Sequence, residues 1–402
     1  MTTKTDSRTA PLDVLRARSE TPGCTEVVHF NNAGAALMPA VVLERMIAHL
    51  RLEAQLGGYE AAAREAAALD EVYLSAARLL GCEPDEIAVV DSATRAWTMA
   101  LYAIPFRPGD RILTSVAEYA SNFIAYLQLA RRHDLSVEVV PNDESGQLSV
   151  SALRELIDDR VRLISLTHVP TNGGLVNPAA EVGAVAREAG VRYLLDACQS
   201  GGQLPLDVTE LRCDLLSITG RKYLRGPRGT GLLYVRRDVL DQLSPPMLDL
   251  HAATWTAPDD YIMRPDARRF ETWEYNVAAK LGLGAALDYA LAWGLPMIRD
   301  RIYGLAGDLR ERLAQLPGIR VRDLGSEQCG IVTFTVEDMP AEQVKELLAH
   351  HRINVHVSRT GSTRLDMETR GLEELVRASV HYYYNTTDEL TALCTTLRGR
   401  SR

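Results

Sequence analysis

The sequence predicts an α/β protein, with a large domain on a mostly parallel seven-stranded sheet and a smaller α+β domain after it. Two observations predict this. Seven short apolar runs alternate with helical stretches as far as Val235. Runs of strand length that are apolar throughout are what a parallel sheet needs when helices cover both of its faces. Beyond Asn276 the rhythm changes to a long helical stretch followed by a compact unit of mixed strands and helices.

The seven strands are expected at 86–91, 111–115, 136–140, 161–169, 191–196, 215–219 and 231–235, with helices at 94–104, 122–132, 151–157 and 180–189 between them. Strand–helix–strand order of this kind builds a parallel sheet. From 277 to 316 the pattern is helical, interrupted at Gly294 and Pro296, both poor residues for a helix interior. Strands follow at 320–322, 331–336, 353–357 and 376–383, with helices at 341–350 and 387–397. The expected division is an N-terminal segment, 1–25, associated with the small domain, a large domain, 26–290, and a small domain, 291–402. A cleft between two such domains is the default seat for a small ligand.

Composition narrows the class. A hydrophobic fraction of 46% and a charged fraction of 24% are those of an ordinary soluble protein. A net charge of −9 argues against a nucleic-acid partner, and the pairs Arg131–Arg132, Arg236–Arg237 and Arg268–Arg269 read as solvated surface. The first twenty residues mix charges with Ser and Thr, and the most apolar stretch, 281–298, is broken by Asp288, Gly294 and Pro296. Neither a signal peptide nor a membrane span is therefore expected. Six cysteines without a CxxC pair, and nine histidines without ligand spacing, point to a reduced cytoplasmic chain and no metal site.

Five groups fall at the ends of expected strands, where open α/β sheets gather ligands. Asp196 ends one strand and suits either a protonated ring nitrogen or the cap of a following helix; Gln199 lies three residues on. Lys222, in Thr219-Gly220-Arg221-Lys222, follows the next strand, where its amine suits an imine with an aldehyde and the hydroxyl and guanidinium beside it suit a phosphate. Ser92-Ala93-Thr94 opens a helix whose free backbone N–H groups offer a phosphate seat, or a plain N-cap. Tyr119 suits stacking on a ring, or core packing, and Arg377 in an apolar strand needs either a carboxylate ligand or an internal acid. Ring nitrogen, aldehyde and phosphate together describe pyridoxal 5'-phosphate (PLP). The glycine-rich 226–231 precedes a strand instead of opening a helix, so it is no dinucleotide fingerprint.

These residues resemble the class V aminotransferase family of fold-type-I PLP enzymes, from His29-Phe30-Asn31-Asn32-Ala33-Gly34 to Arg377-Ala378-Ser379 and the aromatic run after it. The resemblance implies PLP on Lys222, with Asp196 at the pyridine nitrogen, Gln199 at the phenolic oxygen, Tyr119 on the ring, and Ser92, Ala93, Thr94, Thr219 and Arg221 at the phosphate. It also places Thr171 and Asn276 at the cofactor, and Arg377 and Ala33 at an amino-acid substrate; Arg364, on the loop 358–365, is expected to set a positive charge beside the cleft, where it can meet an anionic group of the substrate. The resemblance further implies a homodimer whose subunits share their active sites, Asn276 lying on the loop that approaches the neighbour.

Desulfurases in this family that share the start Arg359-Thr360-Gly361 carry a sulfur-accepting cysteine where this chain has Arg364. Cys198, one residue before Gln199, is expected by strand alternation to turn away from its neighbours' face and to pack as a small apolar group. The resemblance therefore implies an enzyme acting through a Cα carbanion as a C–S β-lyase on a cysteine S-conjugate or its sulfoxide, not a persulfide-forming desulfurase. In Gly57-Gly58-Tyr59, Tyr119 and the stretch Arg221–Gly229 it is similar to the lyase of ergothioneine synthesis, and it is also similar to isopenicillin-N-epimerase-like enzymes. The alternatives it leaves are an aminotransferase, epimerase or oxidative decarboxylating deaminase of specialised metabolism, and a regulator of this fold without turnover.

Overall fold

The computed structural model describes residues 13–382 and 384–399. Residues 1–12 of the expected N-terminal segment, and Tyr383 of the expected last strand, lie outside the described residues.

All seven expected strands form one sheet, in the order Ile87–Val90, Gly231–Val235, Leu215–Thr219, Arg192–Asp196, Val161–Thr167, Arg111–Ser115, Ser136–Val140. Gly231–Val235 runs antiparallel to both neighbours, and the other pairings are parallel. The apolar strands divide their side chains between two cores. Leu163, Leu194, Leu215 and Leu233 pack with Trp97, Tyr126 and Phe270 on one face, while Ile164, Leu195, Leu216 and Leu232 join Tyr193 and Leu283 on the other. Adjacent strand residues point to opposite faces, so an unbroken apolar run is what buries both.

The second unit is an antiparallel sheet in the order Ile319–Val321, Ile331–Val336, Glu374–Ser379, His356–Arg359, flanked by helices Ala341–His350 and Thr387–Arg398. Two strand expectations change here. The run 353–357 splits, because Ile353–Asn354 leaves this sheet to pair in parallel with Val28–His29 near the N-terminus. The last strand ends at Ser379, and His381 stacks on Tyr223, Tyr382 and Tyr384 at centroid distances of 5.0–5.6 Å. Aromatic composition reads as strand, but ring packing takes over once the ladder ends.

The pairing with Val28–His29 has a consequence for the site. It carries residues 30–37 across from the small sheet toward the strand C-termini of the large one, anchored by Ser379 N–H donating to the Phe30 carbonyl at 2.7 Å. The long helical stretch breaks at Gly294 (φ 83°) into Val277–Trp293 and Leu295–Ala314, bent by 79°. No single helix among the described residues is long and apolar enough to cross a membrane. The sequence reading did not identify the helices Ala40–Leu56 and Ala66–Leu80, on which Val277–Trp293 packs, or the hairpin Ala253–Ala257 and Asp260–Met263.

Candidate active site

Parallel register aligns the strand C-termini: Thr167 sits opposite Asp196, and Asp196 opposite Ser217. The side chains leaving those ends, with the start of helix Ala93–Tyr102, line a pocket that opens to solvent. Ser92, Ala93, Thr94, Tyr119, Thr171, Asp196, Gln199, Thr219, Arg221 and Lys222 all line it.

Asp196 is held from two sides. Cys198 N–H donates to Oδ1 and Asn122 Nδ2 to Oδ2, both at 2.9 Å. Burial pushes its carboxyl above the ordinary range, and among the described residues no cation lies within ion-pair distance. An N–H cation arriving in the pocket would relieve that cost. Asn122 in turn donates to Glu118 at 3.0 Å, and Glu118 also accepts from Thr114, Thr167 and Tyr126. Burial raises the Glu118 carboxyl as well.

Lys222 sits in a closed turn. Arg225 N–H donates to the Lys222 carbonyl at 2.9 Å, and Gly226 N–H to the Gly220 carbonyl at 2.8 Å. A Cβ at Gly220 would come within 2.2 Å of Thr230 Oγ1, so this corner accepts only glycine. Burial pushes the Lys222 amine down toward its neutral form, and the charges of Arg221 and Arg377 act in the same direction. Its Nζ lies 3.3 Å from Cys198 Sγ.

That contact corrects the expectation for Cys198, which lines the pocket. Strand alternation does not carry past Asp196: Cys198 N–H turns back onto the Asp196 carboxylate, and the chain leaves the strand there. Burial pushes the Cys198 thiol up, opposed by the Lys222 charge.

At the other end of the pocket Ser92 Oγ caps the helix by accepting from Arg95 N–H at 3.1 Å. Gly231 makes this approach possible, since a Cβ there would meet the Ser92 carbonyl carbon at 2.5 Å. Arg221 faces the pocket while donating to the Gly34 carbonyl, and Tyr119 presents a part-exposed ring from the N-cap of helix Ala120–His133.

Arg377 does not line this pocket but reaches it through Thr171, donating to the Thr171 carbonyl at 3.3 Å and to its hydroxyl. Gln199 Nε2 is 3.5 Å from the same hydroxyl and donates to the Ala33 carbonyl at 3.1 Å, while its Oε1 is buried without a partner. Arg377 is 4% exposed with Nε unpartnered, and among the described residues no carboxylate pairs with it. Burial pulls its guanidinium down to about 10.

Two expected residues lie elsewhere. Arg364 begins helix Arg364–Thr369 with its side chain exposed and pairs with Glu368 at 2.6 Å, one turn along. An i,i+4 acid is the nearer partner for an arginine on a helix surface, and the charge expected beside the cleft is turned to solvent. Asn276 caps helix Val277–Trp293, its Oδ1 accepting from Ala279 N–H at 2.8 Å, and does not line its own chain's pocket. The sequence reading missed Asn122 and Glu118. Asn122 falls three residues after Tyr119 at a helix start, the one signal that could have paired it with the site.

The donor set fits PLP: an unpaired buried carboxylate for a ring N–H, a lysine held near neutrality, and a helix start with a guanidinium for the phosphate. Fold and site define a fold-type-I PLP enzyme. The chain belongs to the aminotransferase class-V family, whose profile matches residues 28–393. It is 28% identical to a probable cysteine desulfurase of Methanothermobacter thermautotrophicus over 94% of this chain and 96% of that one. A probable cysteine desulfurase of Pyrococcus abyssi is 27% identical over 93% and 94%. Among solved structures, the apo cysteine desulfurase of Thermococcus onnurineus NA1 superposes with a TM-score of 0.90 at 25% identity, covering 96% of this chain and 97% of that one. The cystine C–S lyase C-DES, solved with its reaction product cysteine persulfide, gives 0.84 at 26% identity over 94% and 99%.

These relatives overturn the expectation that the chain is not a persulfide-forming desulfurase. The premise was the missing cysteine at position 364, and that premise is too narrow, since a thiol stands inside the pocket at Cys198.

Proposed function

We propose that this enzyme breaks the Cβ–S bond of a cysteine-type α-amino acid and passes the sulfur on as a persulfide. The observation that carries the reading is the Cys198 thiol 3.3 Å from the Lys222 amine, in the pocket that Asp196 and Gln199 line. PLP, bound there, supplies the electron sink that weakens the Cα–H and Cβ–S bonds. Lys222 Nζ, desolvated toward its neutral form, takes and returns protons at Cα. Asp196 holds a proton at the ring nitrogen, and Asn122 fixes the carboxylate in that orientation. Arg377, buried without an acid, receives the substrate carboxylate, and Thr171 orients its guanidinium.

In the first route the Cys198 sulfur attacks the substrate sulfur and the Cβ–S pair returns to carbon, so that L-cysteine and the thiol become alanine and a Cys198 persulfide. A second route, favoured by the likeness to the cystine lyase, breaks the Cβ–S bond of cystine by elimination and yields pyruvate, ammonia and free cysteine persulfide. The finer likeness to ergothioneine lyase and epimerase-like enzymes rests on residues 57–59, Tyr119 and 221–229, and adds cysteine thioethers as a further arm of the test.

The experiment incubates the PLP-loaded enzyme with L-cysteine, L-cystine and a cysteine thioether. It follows alanine, pyruvate and persulfide, with mass spectrometry of the protein. Persulfide on Cys198 with alanine, or free persulfide with pyruvate, supports the reading. Products that keep the C–S bond, or no sulfur release from any of the three, would overturn it. We also propose a cytoplasmic homodimer. The support is six unbonded cysteines and the exposed Trp255, Tyr261, Ile262 and Trp273 clustered on the hairpin and the loop before Asn276.

A further inference from the structure

The N-terminal ends of the same strands carry a second cavity, away from the PLP pocket. Arg162 is the second residue of Val161–Thr167, Arg192 opens Arg192–Asp196, Asp214 precedes Leu215–Thr219, and Arg236 follows the antiparallel Gly231–Val235. Because these four strands are adjacent in the sheet, the residues stand in a row along its lower edge, spaced by the strand separation of about 4.8 Å. Arg187, in the last turn of helix Ala179–Ala189, and Arg212, in the loop before Asp214, close the cavity from outside.

Five guanidinium groups thus line one cavity of a chain whose net charge is −9. Three carboxylates answer them, one of them, Asp238, only at 4.0 Å from Arg236 Nε. Asp214 pairs with Arg236 at 2.6 Å and reaches Arg192 at 4.0 Å, and Asp110 pairs with Arg162 at 3.4 Å. Arg192 otherwise donates to Gln242 Oε1 at 2.9 Å, and Arg212 to the Ala180 carbonyl at 3.3 Å. No carboxylate lies within ion-pair distance of Arg187 or Arg212 among the described residues. Arg236, read from the sequence as solvated surface, is 24% exposed in its side chain, and its buried Nε has no closer acceptor than Asp238 at 4.0 Å, beyond hydrogen-bond distance.

A helix C-terminus accounts for one of these arginines, Arg187, through the dipole. It does not account for three more in a row on the sheet edge, where Asp214 is the one carboxylate that lines the cavity with them. Like charges held this close repel one another unless an anion joins them. Planar guanidinium forks converging on a cavity suit the tetrahedral oxygens of phosphate more than a single carboxylate.

We infer that this cavity is a binding site for a small multiply charged phosphate anion, such as inorganic phosphate, pyrophosphate or a phosphate monoester, separate from the cofactor's phosphate seat. The site stands independently of the reaction proposed above.

The test uses the PLP-loaded enzyme, so that the phosphate seat at the strand C-termini is filled. Pyrophosphate and inorganic phosphate are titrated by calorimetry and by Tm, against sodium chloride at matched ionic strength, with the absorbance of the bound cofactor followed throughout. Saturable binding is expected, with a Tm rise beyond that of chloride and no loss of cofactor absorbance. The variant Arg187→Glu/Arg212→Glu changes two exposed residues and should weaken binding tenfold or more at unchanged turnover. Arg192→Gln should weaken it independently. A Tm response equal to that of chloride would overturn the inference, as would binding unaffected by both variants, or binding that displaces PLP.

Discussion

The two ends of the large sheet use the same strands in opposite ways. At the C-terminal ends, single charged groups are buried with few partners: Asp196 without a cation, Lys222 beside a thiol, and Arg377 behind them without an acid. At the N-terminal ends, charges are several and partly paired, part-exposed arginines against buried carboxylates: Arg162 with Asp110, Arg236 with Asp214. Desolvation dominates the first set and hydration moderates the second. The first set is poised to change protonation or to meet a charged ligand, and the second can only bind one.

Substitutions at the C-terminal ends should therefore have large and distinct effects. The largest is at Lys222. Lys222→Ala should abolish the visible absorption of lysine-bound PLP, and lower turnover by about 10²–10⁴-fold or more. A variant that keeps this band would remove Lys222 from the assignment. Asp196→Ala should lower kcat by about 10²-fold or more at saturating substrate, with PLP still bound. An unchanged kcat would mean the ring nitrogen needs no carboxylate.

Arg377→Ala should act mainly on KM, with a loss of about 2–5 kcal/mol in kcat/KM for a desolvated carboxylate pair. Comparing substrates with and without an α-carboxylate checks it, since only the former should suffer. Asp196→Asn sharpens the contrast through stability. Burial raises the folded carboxyl above its unfolded value of 3.8, so the native apoenzyme binds this proton more tightly than the unfolded chain. The contribution is favourable below the unfolded value and is lost as pH rises through the folded one. Asp196→Asn should therefore raise the Tm of the apoenzyme at neutral pH and lose that advantage in acid, where thermal melts at several pH values will show it. The smallest effect is at Arg364. Its pair with Glu368 is solvent-exposed, so Arg364→Ala should change stability by no more than about 0.5 kcal/mol and leave kcat/KM within about twofold. A large loss of activity there would return Arg364 to the substrate.

Four of the large sheet's strands fall on the expected boundaries, because short runs rich in apolar and β-branched residues mark strands of fixed length. The helices Ala40–Leu56 and Ala66–Leu80 were less legible: their apolar residues are divided between a buried face and surface such as Leu43, Leu50 and Leu74. Cys198 was misplaced because it stands just past a strand end, where period-two alternation gives no direction and a local contact decides. Arg364 was misplaced because it opens a helix, where Glu368 one turn on takes its charge.

By itself the sequence determined the strands, the βαβ order and the residue types that must stand at the strand ends, since periodicity and strand-end chemistry are local properties of the chain. Tertiary structure alone decided that Val28–His29 would pair with Ile353–Asn354, bringing Ala33 under Gln199, and that Asn122 would hold Asp196. It also decided that Cys198 would face Lys222 and that arginines from four distant stretches would share one cavity. These contacts join residues far apart in the chain, and their geometry depends on how sheet, helices and loops pack together, which no local pattern encodes.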